Sequence, residues 1–404
     1  MGRGLVGVVG IALVALAAGC APPDEAAPTR EPAPPFRHTA FYDALSAAAD
    51  RFNQQGGDWL EDLGDAPFYG LAHYTHRAHD LGEAAAQAKA DAARAREAAL
   101  LVDVDFFTAD LQEVTMSALG LAEHIWVTGD RTHQPVLDSF VDRMDALVGA
   151  VGYYLTPGVV DSWALDTYGS TSVSALIGLV NTEYVVRVGG AEAQRRLDWA
   201  IQLAAHIDAA AWDGSSYDFG PGRPEVDLYP NVAMIALNAR LATLTGVEAY
   251  KERALAGYAA IQPLKLSDAP ARYYSAYSAA AMGAQSTDYS TLSSQNYLML
   301  ALALLYQATG EARFVAELDR VVDGLESLLF SEWCLADVHH EVCAPTCTTP
   351  DVCLVDACTA DTCQPGVLHH FMDGRAALPT DPEFFCSGCN LQLLHVMWYR
   401  RTQL

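Results

Sequence analysis

Three long segments of this chain concentrate the residue types that handle hydroxylated substrates. They are "YYLTPGVVDSWALDTYGSTS" (153–172), "AWDGSSYDFGPGRPEVDLYP" (211–230) and the stretch 263–294. They carry the aspartates Asp161, Asp166, Asp213, Asp218, Asp227 and Asp288, with Trp163, Tyr168, Tyr217, Tyr229 and Tyr274 interleaved. Two carboxylates opposed across a glycosidic bond, one protonated and one ionised, are what hydrolysis of that bond requires. Aromatic faces stack on the apolar faces of sugar rings, and amides such as Asn231, Gln295 and Asn296 exchange hydrogen bonds with hydroxyls. Each aspartate also suits a plainer role in a turn or a helix cap, Asp227 above all, and the amides suit capping equally. Arg223, in "GPGRPEVD", could bind a carboxylate in a cleft, although its neighbours Pro221 and Pro224 suit a turn.

A second cluster is sulfur-rich. Cys334, Cys343, Cys347, Cys353, Cys358 and Cys363 are followed by Cys386 and Cys389, with His339-His340 and His369-His370 among them. The spacing lacks the doubled CxxC of a zinc ribbon, so disulfides are expected and no metal or other cofactor is. A segment with so little apolar content needs covalent staples to hold a shape. The loop histidines could act as acid, base or ligand, or simply pack. His73, His76 and His79, three apart in a polar helical segment, read as a solvated face, with metal binding the lesser alternative.

The elements that position these groups follow from a repeat. Gly129, Gly189, Gly246 and Gly310 are 60, 57 and 64 residues apart, each in a turn between two helical patterns. The segment before each glycine is apolar on nearly every face, as in "NVAMIALNARLATL", which marks a helix enclosed on all sides. The segment after it is striped. In "RFVAELDRVVDGLESLLF", Phe314, Leu318, Val321, Leu325 and Leu328 oppose Glu317, Arg320, Asp323 and Glu326, the pattern of an outer helix with a wet face. The glycine suits the left-handed position that ends a helix, and the acidic residue after it suits the first turn of the next. A fainter pair turns near Gly82. Two unpaired helical segments, "TAFYDALSAAADRF" and "NLQLLHVMWYRRTQ", would make a sixth hairpin from the two ends of the chain.

This pattern resembles the (α/α)6 toroids, an all-α six-hairpin architecture, over residues 39–404, with residues 334–389 as a disulfide-rich insertion before the last helix. An open solenoid of the same hairpins is the rival, but it would cap its terminal helices instead of joining them. Members of the toroid architecture are often glycoside hydrolases, polysaccharide lyases or sugar epimerases, so the resemblance implies action on carbohydrate. The long connections fall on the rim where the inner helices begin, and a cleft is expected there, under the cysteine insertion. Asp166 with Asp218 or Asp227 are the candidate acid and base, because they precede the third and fourth inner helices beside the aromatics. A non-catalytic glycan-binding, protein-binding or scaffold protein is the alternative.

The N-terminus reads as an address. Residues 1–19 hold one basic residue, Arg3, then an apolar run, and "LAAGC" resembles a bacterial lipobox. That implies lipid on Cys20 and a place in the outer membrane, and it leaves eight cysteines, an even set suited to pairing. Residues 20–38 would form an extended tether, whose Pro- and Ala-rich residues 21–37 could span up to about 50 Å at ~3.1 Å per residue. A formal charge of −26 disfavours nucleic acid as a partner.

Overall fold

A helix without a polar face must be enclosed, and the clearest cases are. In α6 (Thr171–Arg187) every residue from Thr171 to Tyr184 is buried, and α8 (Leu228–Thr245) and α10 (Leu292–Thr309) are nearly so. A computed structural model describes residues 30–54, 66–104, 111–149, 171–220, 223–226, 228–268, 271–273, 289–326, 333–334, 363–364, 371–373 and 387–404. Among these, the other inner helices are α2 (Ala66–Asp80), α4 (Leu111–Thr128) and α12 (Ser387–Gln403). The outer helices are α1 (Thr39–Gln54), α3 (Ala84–Asp103), α5 (Gln134–Gly149), α7 (Ala193–Ala211), α9 (Glu248–Ile261) and α11 (Ala312–Glu326).

Going round the axis, α2 packs on α4, α4 on α6, α6 on α8, α8 on α10, α10 on α12, and α12 returns to α2. Each inner helix also packs on its outer partner, and α12 does so on α1 from the far end of the chain. The ring is therefore closed, an (α/α)6 toroid rather than a solenoid. Short two-stranded ribbons decorate it: β1 (Asp218–Gly220) with β2 (Arg223–Val226), β3 (Lys265–Asp268) with β4 (Ala271–Tyr273), and β5 (Tyr289–Thr291) with β8 (Phe371–Asp373). A further ribbon, β6 (Trp333–Cys334) with β7 (Cys363–Gln364), sets Cys334 opposite Cys363. Cys389, in the first turn of α12, is disulfide-bonded. Cys20, Cys343, Cys347, Cys353, Cys358 and Cys386 lie outside the described residues.

The hairpin turns share one construction. Gly129, Gly246 and Gly310 take φ of 70°, 68° and 74°, and each N–H donates to the carbonyl four residues back. The threonine before each glycine adds a second lock. Thr128, Thr245 and Thr309 donate through Oγ1 to the carbonyl four residues back and accept from the N–H two residues on. Glu248 alone among the acidic residues that follow these turns lies inside the next helix's first turn; Asp130 instead closes a side-chain turn onto the N–H of Thr132.

Two outer features differ from the sequence reading. In α11, Glu317 faces inward: it accepts from Tyr273 Oη at 2.7 Å and pairs with Lys265 at 2.7 Å. The β3–β4 ribbon covers that one position of the wet face, while Arg320, Asp323 and Glu326 stay accessible to solvent. The described part of the tether, residues 30–38, is extended but docked across the glycine rim. Glu31 N–H donates to Gly310 O (3.0 Å), Tyr306 Oη to Glu31 O (2.7 Å) and Arg400 to Pro34 O (2.6 Å).

Gly246→Ala meets no neighbouring atom, so it should cost only the left-handed strain, about 1–2 kcal/mol. Gly310→Ala should cost more, because its Cβ would meet Arg30 Cα at 3.2 Å. Urea unfolding of both variants checks the order. A second expectation concerns Glu97 of α3, fully buried beside Ser117, whose carboxyl is pushed up to about 8 by desolvation. The folded pKa lies above the unfolded one, so stability is greatest below the unfolded value and falls as pH rises toward about 8. Denaturation at pH 5 and pH 8 should show Glu97→Gln losing ~3–5 kcal/mol of that slope.

Candidate functional site

The polar residues of the inner helices are not scattered. His76 of α2, Glu123 of α4, Glu183 and Arg187 of α6, Arg240 of α8, Gln307 of α10, and His395 and Tyr399 of α12 meet at the axis. His76 Nε2 lies 2.8 Å from Glu123 Oε1, and the other oxygen of Glu123 pairs with Arg187. Arg187 Nε donates to Glu183 Oε2 at 2.8 Å, and Arg240 Nε donates to Glu183 Oε1 at 2.6 Å. Arg240 continues to Gln307 Oε1 at 3.1 Å, and Gln307 Nε2 donates to Tyr399 Oη at 2.6 Å. On α12, His395 Nε2 comes within 3.7 Å of Glu123 Oε1 and Trp398 stacks on His76, which closes the circuit. One belt of hydrogen bonds and ion pairs thus passes through all six inner helices.

Burial sets the electrostatics of this belt. Glu123, Glu183, Arg187 and Arg240 are all buried or nearly so, and two carboxylates balance two guanidinium groups. Burial, with the neighbouring His395, pushes His76 down to about 2, and burial, with Arg187, pushes His395 down to about 3. Desolvation brings Arg187 down to about 10.

Beside the belt is a cavity of about 50 Å³. Leu119, Leu179, Tyr297, Leu300 and Val396 form its apolar wall, and Glu123, Glu183, Arg187, Arg240, His395 and Tyr399 its polar wall. Small-molecule pockets generally start near ~300 Å³, whereas a water needs only ~10–15 Å³. The cavity therefore suits a few waters or an ion, and a sugar ring could meet it only from above.

The belt lies in the last turns of the inner helices, toward the glycine rim, and not at the rim where they begin. It includes His76, which with His73 is buried where a solvated face was expected; His79 alone of the three is exposed. The signal was nevertheless in the sequence. His76, Glu123, Glu183 and Arg240 each stand six residues before a hairpin glycine: Gly82, Gly129, Gly189 and Gly246. A polar residue at one fixed place in successive enclosed helices has to face its counterparts across the axis.

Several expected site residues hold the scaffold together. Tyr217 is fully buried, its hydroxyl donating to Asp208 and its ring packed on Trp212. Asn231, also fully buried, accepts from the Tyr217 N–H at 3.0 Å and donates to the Tyr217 carbonyl at 3.1 Å. Gln295 grips Tyr273 in the same way, at 3.2 and 2.9 Å, and Asn296 donates to Cys389 O and Gln392 Oε1. The amides that could have read hydroxyls therefore pin the chain against the inner helices. Tyr229 is half-buried and packs edge-on against Tyr297, 5.1 Å between centroids, behind the cavity wall. Asp218 opens β1, paired in register with Val226. Trp163, Asp166, Tyr168, Asp227 and Tyr274 lie outside the described residues, as do Asp161, Asp288 and the four loop histidines.

No protein-family model matches the chain, and no curated protein does. Solved structures do share its fold. A D-mannose isomerase superposes with a TM-score of 0.61 at 10% identity, covering 90% of this chain and 99% of that one. An unsaturated glucuronyl hydrolase specific for heparin gives 0.60 at 11%, over 91% and 98%. A family 76 α-mannanase from Bacteroides thetaiotaomicron gives 0.56 at 11%, over 90% and 97%. At such identities the likeness is one of fold: this chain is built on the same (α/α)6 toroid as these three proteins.

Proposed function

We propose that this protein is an exported, lipid-anchored enzyme that acts on carbohydrate, by hydrolysis or a related proton-transfer reaction on a glycan. The observation that carries the reading is the axis itself. Charged and polar groups from α4, α6, α8 and α12, with Tyr297 of α10, surround one cavity in a fold shared with three carbohydrate-active proteins. The sugar enters from the rim where the inner helices begin, stacks against aromatics of that rim, and has the axial cavity as its floor. Asp166, Asp218 and Asp227 are the candidate acid and base in the chain segments preceding α6 and α8. Hydrolysis would use one of them protonated and one ionised. Cys20 carries the lipid, in an outer-membrane lipoprotein.

A second reading has its own support. The belt satisfies much of its charge internally and the cavity is small, which suits a toroid that binds a glycan or a protein without turning it over. Assays of the mature protein on a panel of glycans separate the two. The enzyme reading expects turnover, its loss in at least two of Asp166→Asn, Asp218→Asn and Asp227→Asn, and an unchanged circular dichroism spectrum. Binding without turnover, at an affinity those replacements leave alone, establishes the non-catalytic reading. Cys20→Ser should move the protein from the membrane fraction to the soluble one; continued membrane partitioning would remove the lipid anchor from the proposal.

A further inference from the structure

His76 sits between two carboxylates. Its Nδ1 is 3.1 Å from Asp80 Oδ2 and its Nε2 is 2.8 Å from Glu123 Oε1. A neutral imidazole has a single N–H, and carboxylates only accept. With the proton on Nδ1 toward Asp80, the Nε2 lone pair faces a lone pair of Glu123. That contact is repulsive unless something positive lies between the two atoms. His395 aims Nε2 at the same carboxylate oxygen from α12, and the two imidazole rings are nearly parallel, 14° apart.

We propose that His76, Glu123 and His395 form a binding site for one zinc-class divalent cation at the axis of the ring. The three ligand atoms all lie within 4.8 Å of one another, two of the separations being 2.8 and 3.7 Å. Ligands held at about 2.0 Å in a tetrahedron stand about 3.3 Å apart, between those two values. Two imidazoles and one carboxylate are a donor set zinc accepts, with the fourth position left open. That position would fall to water, and the adjoining cavity of about 50 Å³ is of the right size for it.

The surroundings match what orients metal ligands elsewhere. Asp80 holds His76 by its distal nitrogen, and Arg187 holds the distal oxygen of Glu123. The charges also have room for a cation. Asp80, Glu123 and Glu183 outnumber Arg187 and Arg240 by one, so an ion carrying hydroxide would bring the cluster to neutrality. The site stands independently of the carbohydrate reading, since it requires only that the ion bind.

The test uses the mature full-length protein, stripped with a chelator and then titrated with Zn²⁺. One zinc per chain should bind and survive gel filtration, measured by elemental analysis and calorimetry. Asp80 is partly exposed, so Asp80→Asn should keep the fold while weakening zinc by about 10- to 100-fold. His395→Gln should abolish the stoichiometric site. Anomalous diffraction at the zinc edge should place the ion between His76, Glu123 and His395. Absence of stoichiometric zinc in the wild type would overturn the site. Zinc retained undiminished by His395→Gln, or an anomalous peak at the cysteine segment, would overturn it as well.

Discussion

Everything in this ring is arranged around the need to match buried charge at its axis. Moving carboxylate and guanidinium groups out of water costs several kcal/mol per ion on the order-of-magnitude scale, and only close partners recover it. Here the partners are supplied in sequence by neighbouring helices: Glu123 by α4, Arg187 and Glu183 by α6, Arg240 by α8, Gln307 by α10 and Tyr399 by α12. Sliding one inner helix by a turn would strand two groups at once. Apolar packing alone would tolerate such slips, because small and aliphatic residues repeat along α6, α8 and α10. The belt thus fixes the register of the ring, and the hydrophobic faces supply the driving force for closing it.

A second set of contacts does for the rim what the belt does for the axis. Asn231 and Gln295 each use both ends of an amide to hold the backbone of a tyrosine, and each tyrosine sends its hydroxyl outward to a carboxylate, Asp208 or Glu317. The pattern recurs in two successive hairpins, with Asn in one and Gln in the other. It places β1 and β4 against the first turns of α8 and α10, so these ribbons start from fixed points. Rigid attachment of this kind lets a loop carry function while the scaffold stays unchanged.

The hairpins and their inner and outer helices were legible in the sequence because their causes are local. A glycine at φ near 70° ends a helix wherever it stands, and a helix without a polar face has to be enclosed. Ring closure was legible from the two unpaired terminal helices. The charged belt at the axis was harder to see because its causes are not local. Glu123 and Arg240 look unremarkable in their own helices and acquire meaning only when four helices are aligned on their terminal glycines. The segment containing His76 is polar overall, so its histidines resembled a surface stripe; only its place before Gly82 marks it as an inner helix. Tyr217 and Asn231 carried the right chemistry for a sugar cleft, but their partners, Asp208 and each other, are tertiary neighbours.

The docked arm gives the molecule a top and a bottom. Residues 30–38 do not leave the globule at the start of α1; they run sideways along the glycine rim to the turn at Gly310. Anything attached upstream of Arg30 is therefore moored at that turn, off the axis, with the rim bearing β1 and β4 pointing the other way. A pull on the upstream chain would load the Glu31–Gly310 and Arg400–Pro34 contacts before it reached any helix. The ring is held like a bell by a strap at its shoulder, the rim where the inner helices begin turned away from the point of suspension.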